Sequence, residues 1–134
     1  MATTTASITI ASSDLIPGME TNYYKTATLN KAGTCIGLDQ IESGTREYLA
    51  TGATDLLTWT TALATEGGGN KVYIKNLSTD STEYFEIAIQ AEVLGRLYAG
   101  DWMFIPWSGG SGNDVTVNPS VATSMKLEYI LLSE

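Results

Sequence analysis

The sequence predicts an all-β fold, a single-domain antiparallel sandwich of the jelly-roll or a related Greek-key type. Short runs rich in threonine, valine, isoleucine and tyrosine recur between glycine-containing turns, and no stretch shows a convincing helical period. The 134 residues fit one domain, which buries roughly two-thirds of the surface that the unfolded chain exposes. About eight to ten candidate strands suit a jelly roll. An immunoglobulin-like sandwich is the main alternative, but it has fewer strands and paired cysteines, and this chain has one cysteine.

The chain divides into an amino-terminal arm, residues 1–14, and a β-sandwich domain, residues 15–134. We expect the arm to be flexible or to become ordered on a partner, for example by adding an edge strand to it. Within the arm, residues 7–11 alternate in the manner of a first strand. Pro17 and Gly18 then mark a turn.

The rest of the first half contains strands predicted at residues 23–29 and 46–51, separated by a glycine-punctuated loop over residues 30–44. Residues 55–64 are ambiguous. Their leucines and Trp59 fit one side of a helical turn, whereas the threonines favour a strand, which is the preferred interpretation.

The second half has clearer strands, at residues 71–77, 83–90 and 125–132, each with apolar residues at alternate positions. The first two are predicted to direct their apolar faces into a common core. In the last, the second face also becomes apolar toward the end, so we expect both faces to be covered there. A tight turn is predicted at residues 97–101.

The run Trp102–Trp107 is apolar on both faces, which is typical of a strand that is central in a sandwich or covered by a neighbouring subunit. Alternation cannot place all of its large residues in one core, so at least one is predicted to contact a partner chain. Burial in a core or an interface is favoured over an exposed sugar-binding platform. With the apolar residues at the start of the chain, the candidate partner-interface residues are Ile8, Ile10, Leu15, Trp102, Phe104 and Trp107.

Most catalytic chemistry is excluded by the absence of histidine. Without histidine there is no Ser-His-Asp triad, no Cys-His pair and no histidine-ligated zinc or iron. The glycine clusters at residues 67–69 and 109–112 fit neither a P-loop nor a dinucleotide-binding motif, and we interpret them as turns. Cys35, beside Ile36, is interpreted as a small buried side chain rather than a nucleophile. We therefore predict no enzymatic activity, no catalytic residue and no cofactor.

Carboxylates are the remaining catalytic candidates, because a glycosidase needs only two acids across a cleft. Glu83 and Glu86 are predicted on opposite faces of one strand and cannot pair. Four other acidic residues are interpreted as solvated strand residues rather than a converging site. They are Glu47, Glu92, Asp101 and Glu128.

Two loops offer oxygen ligands for calcium, namely Asp80 with Glu83 and Asn113 with Asp114. Neither has the ligand density of an EF-hand loop, so no metal site is predicted. The tripeptide at residues 76–78 matches a glycosylation sequon, which we interpret as chance because no secretion signal accompanies it.

The charge of −8 disfavours nucleic acid and anionic membrane surfaces as partners, because both repel an acidic protein. The first 18 residues contain neither a basic segment nor a long apolar run. We therefore expect no signal peptide, no membrane span and synthesis in the cytosol.

The segments KVYIKNLS, EYFEIAI, LGRLYAGDWMFIPW and MKLEYILL occur in this order over about residues 70–132. In this order they resemble small structural proteins of tailed-bacteriophage virions, especially jelly-roll head decoration (cement) and knob proteins. The resemblance implies a homo-oligomer, often a trimer, that assembles in the host cytoplasm and clamps neighbouring major capsid proteins on the outer capsid surface of the virion. No catalytic residue carries over, because the family acts by contact.

Two other functions remain open. The alternative is a tail, baseplate or fibre component that binds a host surface glycan through exposed aromatic residues. A carboxylate-based hydrolase is the third hypothesis, which requires two of the acidic residues to converge.

Overall fold

The computed structural model describes residues 4–16, 19–29, 38, 40–60 and 68–133. These residues form ten β-strands and no helix, which confirms the predicted all-β fold. The strands are β1 (Thr4–Ile16), β2 (Met19–Leu29), β3 (Gln40–Tyr48), β4 (Thr54–Leu57), β5 (Asn70–Asn76), β6 (Tyr84–Ile89), β7 (Glu92–Tyr98), β8 (Trp102–Trp107), β9 (Val115–Pro119) and β10 (Met125–Ser133). This part of the chain accordingly holds no helix long and apolar enough to cross a membrane.

Eight strands form two four-stranded sheets with the orders β3-β10-β5-β8 and β4-β9-β6-β7, and all neighbours are antiparallel. The β6–β7 hairpin is enclosed in the chain by three successive strand pairs, β5–β8, β4–β9 and β3–β10. Going outward from the hairpin, each pair lies in the opposite sheet from the one before it. The eight strands thus form one long antiparallel ribbon rolled across two sheets. This is the jelly-roll arrangement of an antiparallel sandwich.

The core fills the space between the two sheets. Strand β10 alternates with a period of two, so that Met125, Leu127, Tyr129 and Leu131 are buried while the residues that alternate with them are not. The facing strand β6 contributes Phe85 and Ile87 in the same way, and both predicted alternations are confirmed. The apolar contacts between these two faces hold the sandwich together.

Strands β1 and β2 form a separate two-stranded antiparallel hairpin. Its ladder runs from Thr4 opposite Leu29 to Ile16 opposite Met19, with an irregularity beyond Ser12. At its base, Thr4 Oγ1 donates a hydrogen bond to the backbone oxygen of Leu38, at 2.9 Å. The described part of the expected arm is therefore most of β1, paired with its own chain. Ordering of the arm on a partner stays a prediction.

Two boundaries in the first half differ from expectation. Strand β3 begins at Gln40, inside the predicted loop, and ends at Tyr48, because it pairs with β10 over that whole length. Strand β4 ends at Leu57 and a turn follows, so the strand predicted over residues 55–64 is wrong at residues 58–60. Residues 61–64 of that segment and Cys35 lie outside the described residues.

The turn predicted at residues 97–101 is shorter than expected. Leu97 and Tyr98 belong to β7, where they pair with β6. The turn itself is closed by a hydrogen bond from Asp101 N to Tyr98 O, at 2.9 Å, and Gly100 takes the positive φ of +81° that favours glycine.

Candidate functional site

The outer face of the β3-β10-β5-β8 sheet is unusually apolar. Its outward apolar residues, which we call the apolar outer face, are Ile41, Tyr73, Trp102, Phe104, Pro106, Ile130 and Leu132. Trp102 and Phe104 are 49% and 36% exposed. A sheet that packs one face on the core normally places polar residues on the other. This face therefore has the composition of a contact surface.

Aromatic residues occupy the centre of the apolar outer face. Tyr73 lies opposite Phe104 in one ladder and opposite Ile130 in the other. The ring centroids of Tyr73 and Trp102 are 6.1 Å apart. Burial raises the pKa of the Tyr73 hydroxyl, and the nearby charge of Glu128 raises it further, so the tyrosine stays neutral. The result is an uncharged aromatic group with a lysine on either side of Tyr73 along β5.

The outer face of the second sheet is polar by comparison. The rings of Tyr84 and Tyr98 have centroids 5.3 Å apart, and the Arg96 guanidinium lies 4.5 Å from the Tyr84 ring centroid. Arg96 Nε donates a hydrogen bond to Glu86 Oε2, at 3.3 Å, which raises the pKa of Arg96. These groups partner one another in solvent, so this face is compatible with water.

The β1–β2 hairpin is amphipathic. Its register places apolar residues on one face, which we call the apolar hairpin face: Ala6, Ile8, Ile10, Tyr23, Ala27 and Leu29. Lys25 lies opposite Ile8 on the same face.

The other hairpin face carries hydroxyl groups. Ser7 Oγ and Thr26 Oγ1 share a hydrogen bond of 2.8 Å. Thr26 Oγ1 also donates to the Tyr24 hydroxyl, at 3.0 Å, which lowers the pKa of Tyr24. This polar face suits solvent, and the apolar hairpin face is the side suited to contact.

The base of the hairpin and the apolar outer face enclose an open cleft of about 880 Å³. Ala6, Ile8 and Ala27 line it from the hairpin, and Ile130 and Leu132 line it from β10. Both β10 residues are half-buried, so the second face of this strand is covered in part by its own chain. Among the described residues that line the cleft, Lys25 alone is charged.

Four of the predicted interface residues lie on these two surfaces. Ile8 and Ile10 belong to the apolar hairpin face, and Trp102 and Phe104 belong to the apolar outer face. Leu15 lies in β1, but its side chain is outside the described part of the chain.

Trp107 is a core residue, and its assignment to a partner interface does not hold in this fold. It is 2% exposed, and its Nε1 donates a hydrogen bond to Asn113 O, at 2.6 Å. Strand β8 is an edge strand rather than a central one. Its alternation directs Met103, Ile105 and Trp107 inward and the other large residues outward, because β5 fixes its register.

The candidate carboxylates are distributed over both sheets and a turn. Glu47 and Glu128 lie on the outer face of the first sheet, where Lys126 Nζ is 3.9 Å from Glu47 Oε1. Glu92 begins β7 in the second sheet. Asp101 accepts a hydrogen bond from Tyr98 N, at 3.0 Å, and so stabilises its own turn. Within the described ranges, no three histidine, cysteine, aspartate or glutamate residues group as metal ligands.

The candidate calcium ligands form hydrogen bonds within the protein. Asp80 Oδ1 accepts from Thr82 N and Thr82 Oγ1, at 2.9 and 2.7 Å, which lowers the pKa of Asp80. The Glu83 carboxylate accepts from Ser78 Oγ. Asp114 Oδ1 accepts from Trp59 N, at 3.0 Å. These oxygens stabilise loops.

Asn76, in the predicted sequon, is fully buried. Its Nδ2 donates to Leu97 O at 3.0 Å and to Glu83 O at 3.3 Å, and its Oδ1 accepts from Ser78 N at 2.9 Å. In the folded chain the amide is therefore inaccessible to glycosylation and serves to connect the loop to β7.

No protein-family model matches the sequence, and no curated protein matches it. Among solved structures, the chain is similar to the cupin domain of Cnp3 from Schizosaccharomyces pombe. The two are 10% identical with a TM-score of 0.45, over 98% of this chain and 84% of that one. A likeness this distant carries no argument about function.

Tyr73, Ile130 and Leu132 complete the site but are absent from the predicted interface residues. They come together because β5 pairs with β10 on one side and with β8 on the other. The sequence signal for two of them is the loss of polar outward positions at the end of β10. No comparable signal marks Tyr73, since a lone tyrosine between two lysines is compatible with a solvated face.

Proposed function

We propose that this chain is a non-enzymatic virion structural protein, a capsid decoration protein that binds the outer surface of the head and stabilises contacts between major capsid subunits. The observation that carries this proposal is the amphipathic hairpin beside the apolar outer face. Both surfaces suit contact with protein, since they expose neighbouring aromatic and aliphatic side chains, with charged residues beside them on the sheet face.

The dimensions of the hairpin support an arm-like role. The 13 residues of β1 reach about 43 Å at roughly 3.3 Å per residue. Among the β1 and β2 residues whose side chains the structure describes, none belongs to the hydrophobic core cluster of the sandwich. The hairpin can therefore engage a neighbour without disturbing the domain that carries it.

Binding to purified particles tests the proposal. We expect deletion of residues 1–14 to leave a folded sandwich with reduced particle occupancy. Ile10→Asp should also reduce occupancy, whereas Thr9→Asp, on the hydroxyl face, should retain it. Unchanged occupancy after the deletion would contradict the arm's role, and absence of the wild-type chain from particles would contradict the function. A copy number near that of the capsid subunits places the chain on the head.

A glycan-binding tail, baseplate or fibre component is the second candidate. The exposed aromatic group of Tyr73, Trp102 and Phe104 favours it, because sugars stack on such surfaces. Under this hypothesis, Trp102→Ala abolishes saturable glycan binding without unfolding, and Tyr84→Ala on the polar sheet face does not. A copy number matching one fibre or baseplate ring would agree with it.

A further inference from the structure

We infer that the tip of the β1–β2 hairpin docks on the apolar outer face of a second copy of this chain. This inference rests on the proposed function, because both require that the chain acts by contact between proteins. It names the first partner of the hairpin as another copy.

The tip of the hairpin has an apolar face that its own chain leaves uncovered. Ile10 and Tyr23 lie directly opposite each other, and they are 53% and 48% exposed. Nearer the base, Leu29 is buried and Ala27 lines the cleft. A lone two-stranded hairpin is marginally stable in water. Covering the tip would stabilise its strands as the sandwich stabilises the base.

The apolar outer face has uncovered surface of the same kind. Trp102 and Phe104, on the edge strand β8, line the cleft and still remain exposed, and Ile41 is exposed on the opposite edge strand β3. This sheet face already packs beside the base of its own hairpin across the cleft. Beyond Ile8 the apolar hairpin face is uncovered, and the apolar outer face keeps exposed surface both at the cleft and at Ile41, so the two surfaces match in character.

Charge also favours this pairing. The outer face of this sheet carries three of the chain's five lysines, Lys71, Lys75 and Lys126, against two glutamates, although the whole chain has a charge of −8. The strands at the tip contain Asp14 and Glu20. By composition the segment at the tip, residues 11–22, is thus acidic, which favours its approach to the least acidic sheet face of another copy.

The exchange is reciprocal, because every copy carries both a tip and a receiving face. Two copies related by a two-fold axis can each insert a tip, which gives a closed, isologous assembly. A larger ring uses the same contact head to tail. In either case the hairpin is the element that joins copies.

Sedimentation of the full-length chain over a concentration series tests the inference. The wild type should self-associate reversibly. Ile10→Asp and Phe104→Asp should each raise the dissociation constant by about tenfold or more, since each places a charge in an apolar contact. Thr9→Asp and Thr116→Asp are the matched controls, on the hydroxyl hairpin face and the polar sheet face. They should associate as the wild type does.

Crosslinking between two preparations identifies the surfaces directly. In a Cys35→Ser background, one preparation carries Ile10→Cys and the other, with a different mass, carries Phe104→Cys. A short bis-maleimide should join the two, and Thr9→Cys should crosslink to Phe104→Cys much less. Equal yields from positions 9 and 10 would overturn the inference even if the chain associates.

Different experimental outcomes contradict self-association through the hairpin and the decoration role. A wild-type chain that stays monomeric up to its solubility limit but saturates purified particles overturns the inference and leaves the decoration role. A chain that self-associates through the hairpin and never binds particles supports the inference and removes that role.

Discussion

The ring of Tyr129 in β10 lies directly over Gly44 in β3, so close that a Cβ atom at position 44 would stand 3.1 Å from Tyr129 Cε1. The ring is held in place from both sides. Its hydroxyl donates a hydrogen bond to Glu42 Oε1 at 3.0 Å, and the Arg46 guanidinium lies 5.3 Å from its centroid. Glycine at position 44 thus makes room for an aromatic ring that seals one edge of the sandwich.

Gly44→Ala should therefore destabilise the fold by about 1 kcal/mol, because the pinned ring must shift to admit a methyl group. Gly95→Ala in β7 is the matched control, since an added Cβ there meets no atom within 4 Å. The control should be neutral or slightly stabilising. Urea unfolding of the two variants measures both effects, and equal losses would contradict the close packing at Tyr129.

Removal of the buried Asn76 side-chain amide should lower the free energy of unfolding more than removal of an exposed side-chain amide does. Asn76→Ala leaves the buried Leu97 O and two other backbone groups without their partner, so we expect a loss of about 2–3 kcal/mol in the free energy of unfolding. Asn118→Ala serves as the control, because Asn118 accepts one exposed hydrogen bond from Gly52 N. A loss at Asn76 no larger than at Asn118 would show that the loop does not depend on the amide.

The three tryptophans should differ in accessibility to a quencher. Trp102→Phe should remove most of the acrylamide-quenchable fluorescence, whereas Trp107→Phe should remove the protected, blue-shifted component. Trp107→Ala should destabilise the domain by about 3–5 kcal/mol, and Trp102→Ala should have a small effect on unfolding. Strong quenching of Trp107 in the wild type would place it outside the core.

Protonation of Asp80 should weaken the loop before β6. The pKa of this carboxyl is lower in the folded state than in the unfolded state, because Thr82 N and Oγ1 donate to its charged form. Its contribution to stability is thus complete above the unfolded-state pKa and is lost as the pH falls through the folded-state pKa.

The difference in unfolding free energy between the wild type and Asp80→Ala should accordingly shrink as the pH falls from neutral to well below the ordinary pKa of an aspartate. The other acidic residues titrate alike in the two proteins, so their contribution cancels in this difference. A difference that is constant with pH would mean that the carboxylate charge has no role in this turn.

Much of the candidate site follows from alternation along single strands, and the remainder depends on pairing between strands. Alternation predicts that the large apolar residues of a strand cannot all enter one core, and Ile8, Ile10, Trp102 and Phe104 are exposed outside it. Trp107 has the same local pattern and a different environment. It lies opposite Asn70 at the end of the β5–β8 ladder, where the inner face of the sheet is still covered.

The sequence by itself determined the all-β class, the inward residues of β6 and β10 and the exclusion of histidine chemistry, since period-two alternation and composition are local properties. The tertiary structure decided which apolar face of β8 is buried, which glycine accommodates Tyr129, and that β1 pairs with β2 to form one side of a cleft. Those outcomes depend on register between strands far apart in the chain. A shift of one residue would reverse every side chain, and the choice is made by the packing of the assembled sheets.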